Sequence, residues 1–263
     1  MRGLFITGTD TGAGKTILSA ALVAAMVAAG ERVRAYKPVV TGLEEPAGEW
    51  PADHELLASV AGMTPEEVAP LRYGPAVSPH LAAELAGERI EPERLIQAAR
   101  ASAALATSPA NAATATSPAT ATGATSATTT TSATTGALVV EGVGGLLVPL
   151  AEDFTVRDLA VELALPLLIA ARPGLGTINH TLLTLDAARA VGLDVRAVVL
   201  TPWPDRPSAM ERSNRETIAR KGEIEVSGLT PIAHPAQNEL AQAGAELPWR
   251  LWLTLQSCIP GRT

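Results

Sequence analysis

The run Gly8-Thr9-Asp10-Thr11-Gly12-Ala13-Gly14-Lys15-Thr16 carries the most specific chemistry in the chain. A phosphate loop usually reads G-x-x-x-x-G-K-[ST]. Here the spacing from Gly8 to Gly14 is one residue too long, and Thr9 stands where the first glycine belongs. Gly14-Lys15-Thr16 itself is intact. Such a loop holds phosphate on successive backbone N–H groups, here those of Thr11, Gly12, Ala13 and Gly14, at the start of a helix whose dipole favours the charge. Lys15 would reach the β- and γ-phosphates, and the Thr16 hydroxyl would take a magnesium position. The expected ligand is therefore a nucleoside triphosphate with magnesium.

Three further positions could join that chemistry. Lys37 ends the second expected strand ahead of Pro38, at the sheet edge where α/β ligands bind. Glu141 ends another apolar run, where a charge is conspicuous. Asp53 opens a helical pattern, either as a simple N-cap or as a second carboxylate beside Glu141. With Thr16, those two carboxylates form a hard-oxygen set suited to magnesium. Gly176, Thr177, Ile178 and Asn179 start a helix after a strand and offer a second set of free amides, suited to a carboxylate. An ordinary cap by Thr177 or Asn179 is the alternative there. His54, His80, His180 and His234 have no metal-ligand spacing, and Asn214 reads as helix surface.

These residues need elements to hold them. Gly3 to Thr7 reads as a buried strand, and Thr16 to Ala29 as an Ala/Leu-rich helix closed near Gly30. Further strands are expected at Arg32–Tyr36, Ala137–Val140, Leu165–Ala170 and Val195–Leu200. Helices are expected at Asp53–Ala61, from Thr64, at Pro79–Leu85, Pro92–Leu105, Val156–Leu163, Thr177–Ala190 and Ala209–Ala219. Strands apolar on both faces, alternating with helices, imply an α/β doubly wound domain with a mostly parallel, helix-flanked sheet. A single domain is expected over residues 1–235, with residues 236–263 left as a C-terminal segment. From Ala101 to Gly136, 30 of 36 residues are Ala, Thr or Ser with no charge, which predicts a disordered insertion at about 108–135.

Of the 263 residues, 47% are apolar but only 3% aromatic, so the core must be aliphatic. The net charge of −7 argues against a broad nucleic-acid face. One cysteine, Cys258, excludes an intrachain disulfide framework. No stretch is long and apolar enough to span a bilayer, and a strand follows Met1 almost directly. A soluble cytoplasmic protein without nucleic-acid or membrane partners is the expectation.

GTDTGAGKT resembles the phosphate loop of the dethiobiotin synthetases, whose usual form is GTDTxxGKT. Four more stretches fit that family in order: Tyr36-Lys37-Pro38-Val39 with Thr41-Gly42, Ser78-Pro79-His80, Val140-Glu141-Gly142-Val143-Gly144-Gly145 and Gly176-Thr177-Ile178-Asn179-His180. The likeness covers about residues 2 to 235. It implies a P-loop NTPase-like fold and an ATP- and magnesium-dependent ligase of biotin biosynthesis. Its reaction closes 7,8-diaminopelargonate with carbon dioxide, through a carbamate, to dethiobiotin, ADP and phosphate. It further implies catalytic roles for Lys37 and Lys15, magnesium on Thr16, Asp53 and Glu141, and contacts from Thr41 to the diamine or its carbamate. The Gly176–Asn179 turn would bind the substrate carboxylate across a homodimer interface. Thr201 takes the nucleotide-binding position where the family often has an adenine-reading Asn, which leaves the base preference open. A partition-type ATPase of related fold would carry a lysine where Asp10 stands. A cobyrinate-type amidase would add a glutamine amidotransferase domain, for which this chain is too short.

Overall fold

The computed structural model describes residues 1–46, 48–108 and 136–254. The expected insertion beyond Ser108, and Cys258, lie outside the described residues. In chain order the elements are β1 (Gly3–Gly8), α1 (Lys15–Ala28), β2 (Val33–Tyr36), β3 (Val39–Val40), α2 (Asp53–Ala61), α3 (Pro65–Val68), β4 (Leu71–Arg72), α4 (Pro79–Leu85) and α5 (Pro92–Thr107). Then follow β5 (Ala137–Gly145), β6 (Pro149–Ala151), β7 (Phe154–Thr155), α6 (Val156–Leu163), β8 (Leu167–Ala171) and α7 (Thr177–Arg189). The chain continues through β9 (Val195–Leu200), α8 (Ala209–Gly222), β10 (Glu225–Gly228), α9 (Gln237–Ala245) and α10 (Trp249–Trp252).

Six parallel strands form the central sheet in the order β10-β9-β8-β1-β5-β2. The strand bearing the phosphate loop is thus central, between β8 and β5. Alternate residues of each strand serve opposite faces. Leu4 and Ile6 of β1 join α1, α2 and α9 in one apolar cluster, whereas Phe5 joins α4 to α8 in the other. This two-sided burial explains why β8, most of β1 and the first half of β5 read as apolar runs. Two small ribbons lie apart from this sheet, β3 with β4 in parallel and β6 with β7 antiparallel.

Local chemistry starts and stops the helices. Thr64 with Glu67, Thr155 with Asp158 and Ser208 with Glu211 form reciprocal capping boxes at α3, α6 and α8. By contrast, α1 and α7 begin at glycines, Gly14 (φ 88°) and Gly176 (φ 89°), with no side-chain cap. That left-handed backbone favours glycine, and it leaves the first amides of both helices unclaimed by a cap.

One reading from sequence changes. β5 runs on through Glu141 to Gly145, so Glu141 sits within a strand rather than at its end. Past residue 235, Leu240, Ala243, Trp249 and Trp252 are buried in the same cluster as α1. β10, α9, α10 and the two ribbons were not foreseen, being short or lacking a clear period.

Candidate active site

At the carboxyl edge of the sheet, a cleft of about 720 Å³ opens beside the phosphate loop. Thr11, Gly12, Gly14, Lys15 and Thr16 line one side, and Lys37, Thr41 and Asp53 the other. Val39, Trp50, Leu56 and Val143 add apolar walls. The ends of β1, β2 and β5 therefore converge with the start of α2 on one cavity.

At its base lies a charge cluster. Glu141 is fully buried. Its Oε1 accepts from the Thr16 hydroxyl at 2.8 Å and from the Lys37 ammonium at 2.5 Å. Lys37 Nζ also lies 2.8 Å from Asp53 Oδ2. Lys37 is only 3% exposed, and its backbone N–H is held by the Val68 carbonyl at 2.9 Å. Asp53 is the first residue of α2 and faces Lys37, so the simple N-cap reading does not describe it; Ala52 takes the cap position.

Burial by itself would lower the Lys37 ammonium, but the Glu141 and Asp53 carboxylates outweigh it and hold it well above its usual range. Burial lowers Lys15, Glu141 offsets this only in part, and the like charge of Lys37 adds to the depression. Burial would raise Asp53, yet the charge and hydrogen bond of Lys37, with the Thr16 hydroxyl, keep it below the ordinary carboxylate value. Lys15 Nζ meanwhile rests on the Asp10 carbonyl at 3.1 Å.

The donor set fits a hard divalent cation. Glu141 Oε2 is buried with no hydrogen-bond partner, beside the Thr16 hydroxyl and across Lys37 from Asp53. An orphaned carboxylate oxygen so deep is costly unless a cation claims it. In this structure the Lys37 ammonium supplies the positive charge between the two carboxylates. Among the described residues there is no group of three or more His, Cys, Asp or Glu that could hold a metal. Magnesium asks for less, because phosphates and water complete its shell.

Other expected site residues lie elsewhere. Thr201 is buried, with its methyl packed so close to Gly14 that a side chain there would collide with it; it stands behind the loop, not on the cleft wall. The Gly176–Asn179 turn is also outside the cleft. Thr177 lines a separate recess of about 190 Å³ with Thr9, Asp10 and Arg172 on the outer side of the phosphate loop. Ala13 borders that recess rather than the cleft.

Two residues were missed or misread. Arg172 follows β8 directly, and its Nε donates to the Gly12 carbonyl at 2.7 Å. A charge immediately after a wholly apolar strand, at the ligand edge, was the available signal. Asn214 is not helix surface: it is 8% exposed. It forms the buried stripe of α8 with Ile218 and Gly222, a spacing of four that the sequence does carry.

Comparison with known proteins agrees with the geometry. The AAA domain family matches residues 2–239. A protein of Anaeromyxobacter sp. (strain Fw109-5) named ATP-dependent dethiobiotin synthetase BioD is 39% identical over 90% of this chain and 90% of its own length. Proteins of the same name from Mycobacterium sp. (strain JLS) and Bacillus subtilis (strain 168) are 37% and 30% identical. They cover 84% and 88% of this chain, and 84% and 87% of their own lengths.

Proposed function

Since the chain belongs to the ATP-dependent dethiobiotin synthetases, within the AAA domain family, we propose that it carboxylates 7,8-diaminopelargonate with carbon dioxide and closes the ring at the expense of ATP. The observation that carries this reading is the buried Lys37 between Glu141 and Asp53, facing the phosphate loop across one cleft.

The chemistry runs in three balanced steps. One amine attacks carbon dioxide, forming an N–C bond and losing a proton to give a carbamate. A carbamate oxygen attacks the γ-phosphorus, and the bond to the β,γ-bridging oxygen breaks to release ADP. The second amine then attacks the carbonyl carbon; the C–O bond to phosphate breaks, a proton is lost, and the cyclic urea forms. Phosphoryl transfer of this kind needs positioning and charge neutralisation rather than a protein nucleophile.

Lys15 and the amides from Thr11 to Gly14 bind the triphosphate, while Lys37 faces the carbamate and γ-phosphate oxygens together. Thr41 on the cleft wall orients the diamine. Thr16, Asp53 and Glu141 would hold magnesium, which when bound draws charge off the phosphates. The N-terminal amides of α7 receive the substrate carboxylate from a second copy of the chain, in a homodimer. Two observations support that arrangement: the turn lies outside this chain's own cleft, and Leu175 beside it is 94% exposed. Thr201 would contribute to the nucleotide site from behind Gly14. Among the described residues no helix is long and apolar enough to cross a membrane, and a cytoplasmic enzyme without membrane or nucleic-acid partners is proposed.

Phosphate release is the assay, with magnesium, ATP, bicarbonate and 7,8-diaminopelargonate. Release that depends on the diamine is the expected result; release indifferent to it overturns the reading. Sedimentation of the purified protein tests the dimer, and a strict monomer at turnover concentrations overturns that part.

A further inference from the structure

Asn214 has no role in the reaction just outlined, yet its setting is specific. Its Nδ2 donates to the Pro173 carbonyl at 2.9 Å and to the Gly174 carbonyl at 3.1 Å. Both partners are acceptors, so only the amide –NH₂ group can satisfy them together. The two carbonyls belong to the turn between β8 and α7. Gly174 O is shared, since it also accepts from the Thr177 N–H at 3.3 Å in the bend that enters α7. The Asn214 amide thus braces the rear of the turn whose front presents the first amides of α7. Among the described residues, the Ile178 and Asn179 N–H groups have no hydrogen-bond partner.

The same turn is fastened at its other end. Arg172, one residue ahead of Pro173, donates from Nε to Gly12 O of the phosphate loop. The segment 172–176 is therefore held between α8 on one side and the phosphate loop on the other. Helix geometry aims the free amides along the axis of α7, and with Gly176 left-handed and no side-chain cap, the preceding turn shapes the space in front of them. Asn214 and Arg172 both hold that turn, Asn214 at the two carbonyls nearest the helix start.

We propose that Asn214 is a positioning residue for the substrate carboxylate: it holds the Pro173–Gly176 turn so that the Ile178 and Asn179 amides meet the anion. The inference rests on the proposed carboxylate-binding role of that turn. Asn214 touches no reacting atom. Its loss weakens ground-state and transition-state binding alike and leaves the chemical step intact, which appears in KM rather than kcat.

The test uses the full chain and two diamines of equal carbon skeleton, 7,8-diaminopelargonate and 2,3-diaminononane, in which a methyl group replaces the carboxylate. Wild type, Asn214→Ala and Asn214→Ser are compared by diamine-dependent phosphate release. For diaminopelargonate, Asn214→Ala is expected to raise KM about tenfold with kcat within about twofold. Asn214→Ser, which keeps one donor, should recover part of that loss. For 2,3-diaminononane, kcat/KM should stay within about twofold of wild type in both variants. Because both substrates are assayed on the same preparation, partial unfolding lowers both alike and cancels in their ratio. A uniform loss on the two diamines, or a fall in kcat at unchanged KM, overturns the inference and leaves the proposed activity standing. Wild type that turns over neither diamine overturns the activity and the inference together. Wild type that does not discriminate between the two diamines overturns the carboxylate role of the turn.

Discussion

The Lys37 ammonium answers two carboxylates at once, and one of them, Glu141, is wholly buried. Removing the cation as Lys37→Met should cost about 3–5 kcal/mol of stability, because it strands a buried charge. It should also abolish turnover. Adding Glu141→Gln removes the stranded charge, so the double variant should be more stable than the sum of the singles by at least about 1 kcal/mol. Urea denaturation of the three variants measures this; strict additivity would mean that the pair is not coupled. The lysines should also separate on titration. Lys15 lies below its usual value and Lys37 above it, so rising pH strips the proton from Lys15 first. ATP affinity of the free protein should thus weaken on the alkaline side while Lys37 is still charged, and calorimetric titration across that range checks it. Glu141 and the phosphate loop were legible in sequence because each is a charge or a glycine cluster at the end of an apolar run, and Lys37 because it stands between an expected strand and Pro38. Asn214 was not, since a polar residue in a polar helix gives no sign of which backbone carbonyls will meet it.

Helix starts organise the site. Gly14 combines a left-handed φ with contact against the Thr201 methyl. Gly14→Ala should therefore meet both a backbone cost of about 1–2 kcal/mol and a collision. A second change, Thr201→Ser, removes the methyl and should restore part of the stability and of ATP binding; no recovery would mean that the collision is unimportant. The packing of α9 on α1 rests on a similarly close approach. A side chain at Gly244 would run into the Ala21 carbonyl, so Gly244→Ala should destabilise by about 1–3 kcal/mol, read from the urea midpoint. Most helices and the main strands could be read from caps and apolar runs. α9 could not, because its fit depends on a glycine that signals a turn in sequence and a helix contact in space.

The described residues form a parallel sheet sandwiched between two largely aliphatic layers, with the candidate site where β1, β2 and β5 end. The layer over α1 also takes in Leu247, Trp249 and Trp252, so a chain ending at residue 235 should lose its cooperative thermal transition, checked by calorimetry. That dependence was invisible in a pattern that fades before the last helices. The opposite edge of the sheet is arranged quite differently. The chain leaves α5 at Ser108, whose carbonyl accepts from Arg32, and returns at Gly136 against Ala106, just before Ala137 bonds Arg32 in turn. The exit and the re-entry are thus neighbours at the beginning of β5, while the cleft beside the phosphate loop lies past its other end. For protein engineering this is a natural splice point. Exchanging the 27 intervening residues, 109–135, for a flexible glycine-serine bridge of about half that length should change stability by less than about 1 kcal/mol through loop closure, read from the urea midpoint, with turnover kept.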